Sequence, residues 1–261
     1  MALHADSGTL AGAGNGPAQT QVLALSALGL VKRYGNLKAL DNVSFHVSEG
    51  EAVGVVGPNG AGKTTLFGAL AGTFPVNEGR IDFGGTDITY DSAEARNAQG
   101  IARTYQVPRP FLDMTVFENV LVAARAGGGA NAAEATDLAA DILDRTGLMP
   151  LANKPAATTG LLDRKRLEVA RAIATQPKVI LLDEIGGGLT EGELMQLIAL
   201  IESLKASGMT IVWIEHILHA LLHVVTRLVC MAEGAVLAEG DPKDVMQDPA
   251  VRSAYLGSDP E

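Results

Sequence analysis

Residues 57–64 read Gly57-Pro58-Asn59-Gly60-Ala61-Gly62-Lys63-Thr64, and Thr65 follows. A glycine, four residues, a second glycine and a Lys-Thr pair is the spacing of a loop that wraps phosphate oxygens. Glycine lets the backbone come close and aim N–H groups at the phosphates, and a helix opening at the end of the loop adds partial positive charge. In such a loop Lys63 would reach the β- and γ-phosphates, and the Thr64 hydroxyl would bind Mg²⁺. The apolar run AVGVV before it reads as a buried strand, and 63–72 reads as a helix. That is the context this chemistry requires.

A second group of side chains suits the same reaction. Val179, Ile180, Leu181 and Leu182 precede Asp183 and Glu184, so a buried strand delivers two carboxylates at its C-terminal end. Ligands of open α/β sheets collect at that edge. Asp183 suits the Mg²⁺ shell, and Glu184 suits a base or polariser for an attacking water. His216 ends the apolar run TIVWIEH and is expected near the same edge. Taken alone, each reads more plainly: a solvated acidic strand end, or a structural histidine.

Around these residues the chain alternates between strand and helix patterns. From 22 to 56 short apolar runs alternate with turns, and Gly79 and Gly84-Gly85 punctuate another short β section. From about 91 to 157 Ala-rich helical pieces (114–126 and 133–146) dominate, bounded by prolines and split by Gly127-Gly128-Gly129. A helix is expected over 163–175, where Leu167, Ala170 and Ala174 recur at helical spacing, then helices at 191–206, 217–226 and 249–256. The expected fold is α/β: a core with an N-terminal antiparallel β subdomain and an inserted α-helical subdomain. The boundaries read as a disordered tail at 1–21, the β subdomain and first part of the core at 22–106, the helical subdomain at 107–162, and the rest of the core at 163–261.

Bulk properties exclude several function classes. The 261 residues are 47% hydrophobic, enough for a sizeable core. Lys and Arg total 20 against 30 Asp and Glu, a net charge of −10. A nucleic-acid binder replaces counterions with basic surface, so no nucleic-acid partner is expected. The cluster Arg164, Lys165 and Arg166 is expected to be a solvated or partner-contacting helix face. The single cysteine, Cys230, lies in an apolar run and reads as a buried small hydrophobe. His216, His219 and His223 could share a helix face, but no further ligand completes a tetrahedral set, so no metal site is expected there. No stretch has the length and apolarity of a membrane span.

Taken in order, Tyr34, the loop GPNGAGKTT, Gln106, the helix RKRLEVARA, ILLDE and IEH resemble the ATP-binding cassette ATPases. The resemblance covers roughly residues 22–257 and implies the P-loop NTPase (RecA-like) core. It implies ATP and Mg²⁺ as ligands, Tyr34 stacked on adenine, and His216 as a switch residue touching the γ-phosphate. Gln106 would join the Mg²⁺ shell with Thr64 and Asp183 and link the site to the helical subdomain. Finer likeness, in GIARTYQVPRPF, TVFENVLVAA and the ending AEGDPKDVMQDPAVRSAYLG, is to ATPases of branched-chain amino-acid importers. Urea and amide importers share much of it.

The resemblance further implies partners: a second ATPase subunit that is a different chain, two integral-membrane permeases and an external solute-binding protein. It implies a peripheral place on the cytoplasmic face of the inner membrane, with the isolated subunit soluble. Rival readings are a non-transport cassette ATPase of the translation or repair type, disfavoured by the acid balance, and a P-loop kinase or GTPase, disfavoured by Gln106 and His216. Three departures from the family pattern stand out. Ile185 replaces a common Pro, and Thr190 replaces an Asp or Asn. The LSGGQ-type signature aligns with Thr159, Gly160, Leu161, Leu162 and Asp163, so its serine has become Gly160 and a phosphate-approaching glycine has become Leu162. That segment is expected to face ATP held by the other subunit, with the Leu162 side chain holding the backbone off the phosphate and Asp163 adding negative charge.

Overall fold

A computed structural model describes residues 22–127 and 131–256. The expected tail, Gly128, Gly129 and the last five residues lie outside the described residues. Ten strands and nine α-helices follow one another among those described. They are β1 (Leu23–Tyr34), β2 (Leu37–Ser48), β3 (Ala52–Val56), α1 (Lys63–Leu70), β4 (Glu78–Phe83), β5 (Thr86–Asp87), α2 (Ala93–Gln99) and β6 (Ile101–Arg103). Next come α3 (Val116–Gly127), α4 (Ala132–Arg145), α5 (Leu161–Ala174), β7 (Val179–Asp183), α6 (Glu191–Ala206) and β8 (Thr210–Ile214). The last are α7 (Leu218–Val224), β9 (Arg227–Ala232), β10 (Ala235–Gly240), α8 (Pro242–Gln247) and α9 (Pro249–Leu256).

The strands form two sheets. β2-β1-β4-β5 is antiparallel throughout. The other has the order β10-β9-β3-β8-β7-β6, parallel except for β10 at its edge. Its central strands are buried at every position, because both faces are covered. Alternation decides which side chain goes where: Ile180, Leu182, Ile211 and Trp213 join a core shared with α3, α4, α5 and α6. Val179, Leu181, Val212 and Ile214 join the core beneath α1 and the antiparallel sheet. The α/β class expected from the sequence is therefore the class observed.

Two helices are anchored in ways that bear on the site. Arg96, on α2, is buried, and its guanidinium donates to the carbonyls of Ala69, Leu70 and Thr89 at 2.6, 2.8 and 3.0 Å. Those first two carbonyls end α1, so a cation satisfies the negative end of the helix that begins at Lys63. α5 starts two residues earlier than the leucine–alanine spacing predicts, with Gly160 as its N-cap. Leu161 and Leu162 are thus helical, and the helix runs through the expected 162/163 boundary.

Candidate nucleotide site

The parallel order places the ends of β3, β8 and β7 side by side, and the predicted residues follow those ends. After β3 the chain turns through the 57–62 loop. A Cβ on Gly57 would lie 2.1 Å from the Met231 carbonyl oxygen, and one on Gly62 would lie 2.5 Å from that of Ala39. Both positions also have φ in the left-handed region, at 146° and 97°, so only glycine lets the loop close this tightly. No side chain caps α1, which leaves its first N–H groups aimed into the cleft.

Lys63 is buried, and its ammonium donates to the carbonyls of Gly57 and Pro58 at 2.7 and 3.1 Å. Burial lowers its pKa from the ordinary lysine value, opposed by the charges of Glu184 and Asp183 nearby. The cleft above it holds about 550 Å³ and is lined by Tyr34, Leu37, Lys38, Ala39, Asn59 to Thr65, Glu184 and Glu233. A larger groove of about 710 Å³, around Glu49, Lys178 and Thr210, contains none of the predicted residues. The chemistry-bearing side chains therefore decide which of the two is the candidate site.

At the end of β7, Asp183 is buried, and Arg103 Nη2 donates to its Oδ2 at 2.6 Å. Glu184 takes a left-handed backbone, φ 44°, with its N–H bonded to the Ile214 carbonyl at 2.9 Å. Such a conformation costs a non-glycine residue about 1–3 kcal/mol and turns the side chain out of the strand into the cleft. Gln106 Nε2 donates to Glu184 Oε2 at 2.7 Å. Thr64 hydroxyl, Asp183 carboxylate and the Gln106 amide oxygen are hard oxygen donors, the set that suits Mg²⁺ when phosphate and water complete it. His216 follows β8 by two residues, and its ring lies 3.9 Å from where a Cβ on Gly187 would be.

Tyr34 ends β1, is half exposed, and meets Phe74 edge-on at 6.0 Å. Lys32 Nζ sits 5.1 Å from its ring centre. The residues Thr159 to Asp163 do not line this cleft. Gly160 has no atom within 4 Å of a Cβ position. Leu162 is only 9% exposed and packs into the core, whereas Leu161 is 42% exposed. One residue's rotation around the helix thus turns the Leu162 side chain inward and leaves Leu161 outside. Asp163 carries a compensating partner, Arg166, at 3.8 Å.

One expectation changes. Lys165 is not on a solvated face. It is 3% exposed, and its ammonium donates to the Gln106 carbonyl at 2.7 Å. His219 pairs with Glu191 at 3.4 Å, and among the described residues no cluster of His, Cys, Asp or Glu has the arrangement of a metal centre. Cys230 is buried as expected, and desolvation pushes its thiol up to about 11.

The loop and Glu184 in one cleft, with Asp183 just before Glu184 and Gln106 bonded to it, coincide with a family match: the family described as ABC transporter matches residues 40–186. The chain belongs to the ABC transporter family. A second match, to a segment described as branched-chain amino acid ATP-binding cassette transporter, covers residues 235–261. The high-affinity branched-chain amino acid transport ATP-binding protein LivG of Salmonella typhimurium is 36% identical over 248 residues, covering 89% of this chain and 97% of LivG. BraF of Pseudomonas aeruginosa, carrying the same description, is 35% identical with the same coverage. The ADP conformation of an ATP-binding cassette from an ABC transporter superposes with a TM-score of 0.80 at 32% identity, covering 90% of this chain and 99% of the other. This ABC ATPase has, among its described residues, no helix long and apolar enough to cross a membrane.

Proposed function

We propose that the chain is the ATP-hydrolysing subunit of an importer for branched-chain amino acids, working on the cytoplasmic face of the membrane. The observation that carries the reading is one cleft holding Lys63, Thr64 and Glu184, with Gln106 bonded to Glu184. Lys63 and the α1 N-terminus bind the phosphates, and Tyr34 supplies an aromatic face for the base. Thr64, Gln106 and Asp183 would hold Mg²⁺, which would supply charge neutralisation at the phosphates. Glu184 orients the attacking water and accepts its proton. His216 touches the γ-phosphate. The relatives named for branched-chain amino acid transport support the choice of solute.

ABC ATPases act as pairs bound to membrane permeases. Here the pair is completed by a different ATPase chain, with two permeases and an external solute-binding protein. Thr159 to Asp163 lie away from this chain's own cleft, which supports their facing ATP on the other subunit. Two experiments test the reading. The isolated chain should hydrolyse ATP poorly, and the complex captured with it from native membranes should hydrolyse ATP and carry leucine into sealed vesicles. Full turnover by the isolated chain, or a complex indifferent to leucine, isoleucine and valine, would overturn it.

A further inference from the structure

Glu215 is 1% exposed, yet it directly precedes the exposed His216. A buried carboxylate needs its acceptor sites filled, and here both oxygens are used. Oε2 accepts from the Gly186 N–H at 2.9 Å. Oε1 accepts from the His216 N–H at 3.0 Å and lies 3.0 Å from His216 Nδ1. The fit around it is tight: a Cβ on Gly186 would lie 2.9 Å from Glu215 Oε2 and 3.0 Å from Leu194 Cδ1. Gly186 is two residues past Glu184, so a single carboxylate ties the segment leaving Glu184 to the imidazole after the neighbouring strand. Lys165, the buried cation on α5, interacts with Glu215, Glu168 and Glu184 and offsets their charge.

We infer that Glu215 is a positioning residue: it holds the His216 ring by Nδ1 and the Gly186 amide in one register, so that Nε2 faces the nucleotide and the two segments move together. The inference rests on the proposed role of His216. Which imidazole nitrogen carries hydrogen is set by the partner of the other one. A carboxylate at Nδ1 fixes the hydrogen there. Glutamine has Glu215's shape but only one acceptor oxygen, so its NH₂ would face an N–H donor at one of the two contacts.

The test is NMR of the histidine ring nitrogens in the nucleotide-free full chain, with the His216 signals assigned by their loss in His216→Gln. His216 is expected to carry its hydrogen on Nδ1. Glu215→Gln should shift it toward Nε2. Gly186→Ala, which pushes on the carboxylate without touching its charge, should move the same signals. In the assembled transporter, Glu215→Gln should lower kcat about tenfold or more with KM for ATP changed by about twofold or less, the pattern of an interaction made at the reacting geometry. A wild-type His216 with hydrogen on Nε2 would overturn the inference, as would Gly186→Ala leaving its signals in place. A Glu215→Gln protein that melts lower but turns over normally would make the residue merely structural. An assembled wild type without ATPase activity would sink the proposed function while leaving the NMR result standing.

Discussion

Arg103 and Asp183 form an ion pair at 2.6 Å with side chains only 12% and 6% exposed, and it ties the ends of the neighbouring strands β6 and β7 together. Arg103 also reaches Thr73 Oγ1 at 3.3 Å and lies 5.5 Å from the Tyr105 ring. Removing one partner of a buried pair strands the other charge, which typically costs about 3–5 kcal/mol. Arg103→Met should therefore lower the free energy of unfolding by about 3 kcal/mol, read by denaturant titration. Asp183→Asn should cost a similar amount. The double variant should lose clearly less than the sum of the two, because neither charge is then left alone. Additive losses would mean the pair contributes nothing to the fold.

Glu184 is held by its backbone bond to Ile214 and by the Gln106 side chain. Glutamine at 184 keeps the size and can still bond Gln106, so ATP binding should survive. Turnover should fall by about 10²–10⁴, the usual cost of losing a general base. The measurement is steady-state ATPase of the complex beside nucleotide binding by fluorescence. Loss of less than about tenfold would shift the base elsewhere, with His216 the next candidate.

Much of this was legible before the structure, for physical reasons that differ from residue to residue. The phosphate loop shows because three glycines and a Lys-Thr pair at fixed spacing have few other uses. β7 and β8 show because strands buried on both faces read as unbroken apolar runs. Arg96, Arg103, Lys165 and Glu215 did not show. Each is a charged residue buried by a partner distant in sequence, and spacing alone carries no trace of such partners. α2, β6 and α8 were passed over because three to seven residues are too few for a period to register.

Tyr34 offers a further measurement. Its ring is half exposed at the cleft and already shared with Lys32 and Phe74. Stacking of a base on an aromatic ring is worth about 1–3 kcal/mol, so Tyr34→Ala should weaken ATP binding roughly fivefold to a hundredfold. Tyr34→Trp should bind at least as well as the native chain. Equal affinities for Ala, Tyr and Trp would remove the residue from the adenine site and leave it a surface aromatic.

The segment Thr159–Asp163 carries the sharpest prediction, that the two ATP sites of the transporter are unequal. One site pairs this chain's loop, Glu184 and His216 with the signature of the partner ATPase. The other pairs the partner's loop with Gly160, which has no hydroxyl to give a phosphate. A charge-assisted hydrogen bond of that kind is worth about 1.5–3 kcal/mol, or roughly tenfold to a hundredfold in rate. Lys63→Ala should thus remove most ATPase activity, and the matching lysine change in the partner should remove much less. The structure adds two variants that separate the causes. Space around Gly160 admits a serine, and its backbone already has the extended geometry of an N-cap, φ −69° and ψ 174°. Gly160→Ser should therefore fold normally, speed the slow site and raise the share of activity that depends on the partner's lysine. Leu162→Gly would restore the family's glycine but empties a core position, at about 3 kcal/mol or more of stability. It should destabilise the chain without speeding the site, since Leu162 already faces inward. Equal losses from the two lysine variants would reject the asymmetry. A Gly160→Ser complex with unchanged turnover would show that the missing hydroxyl is not its cause.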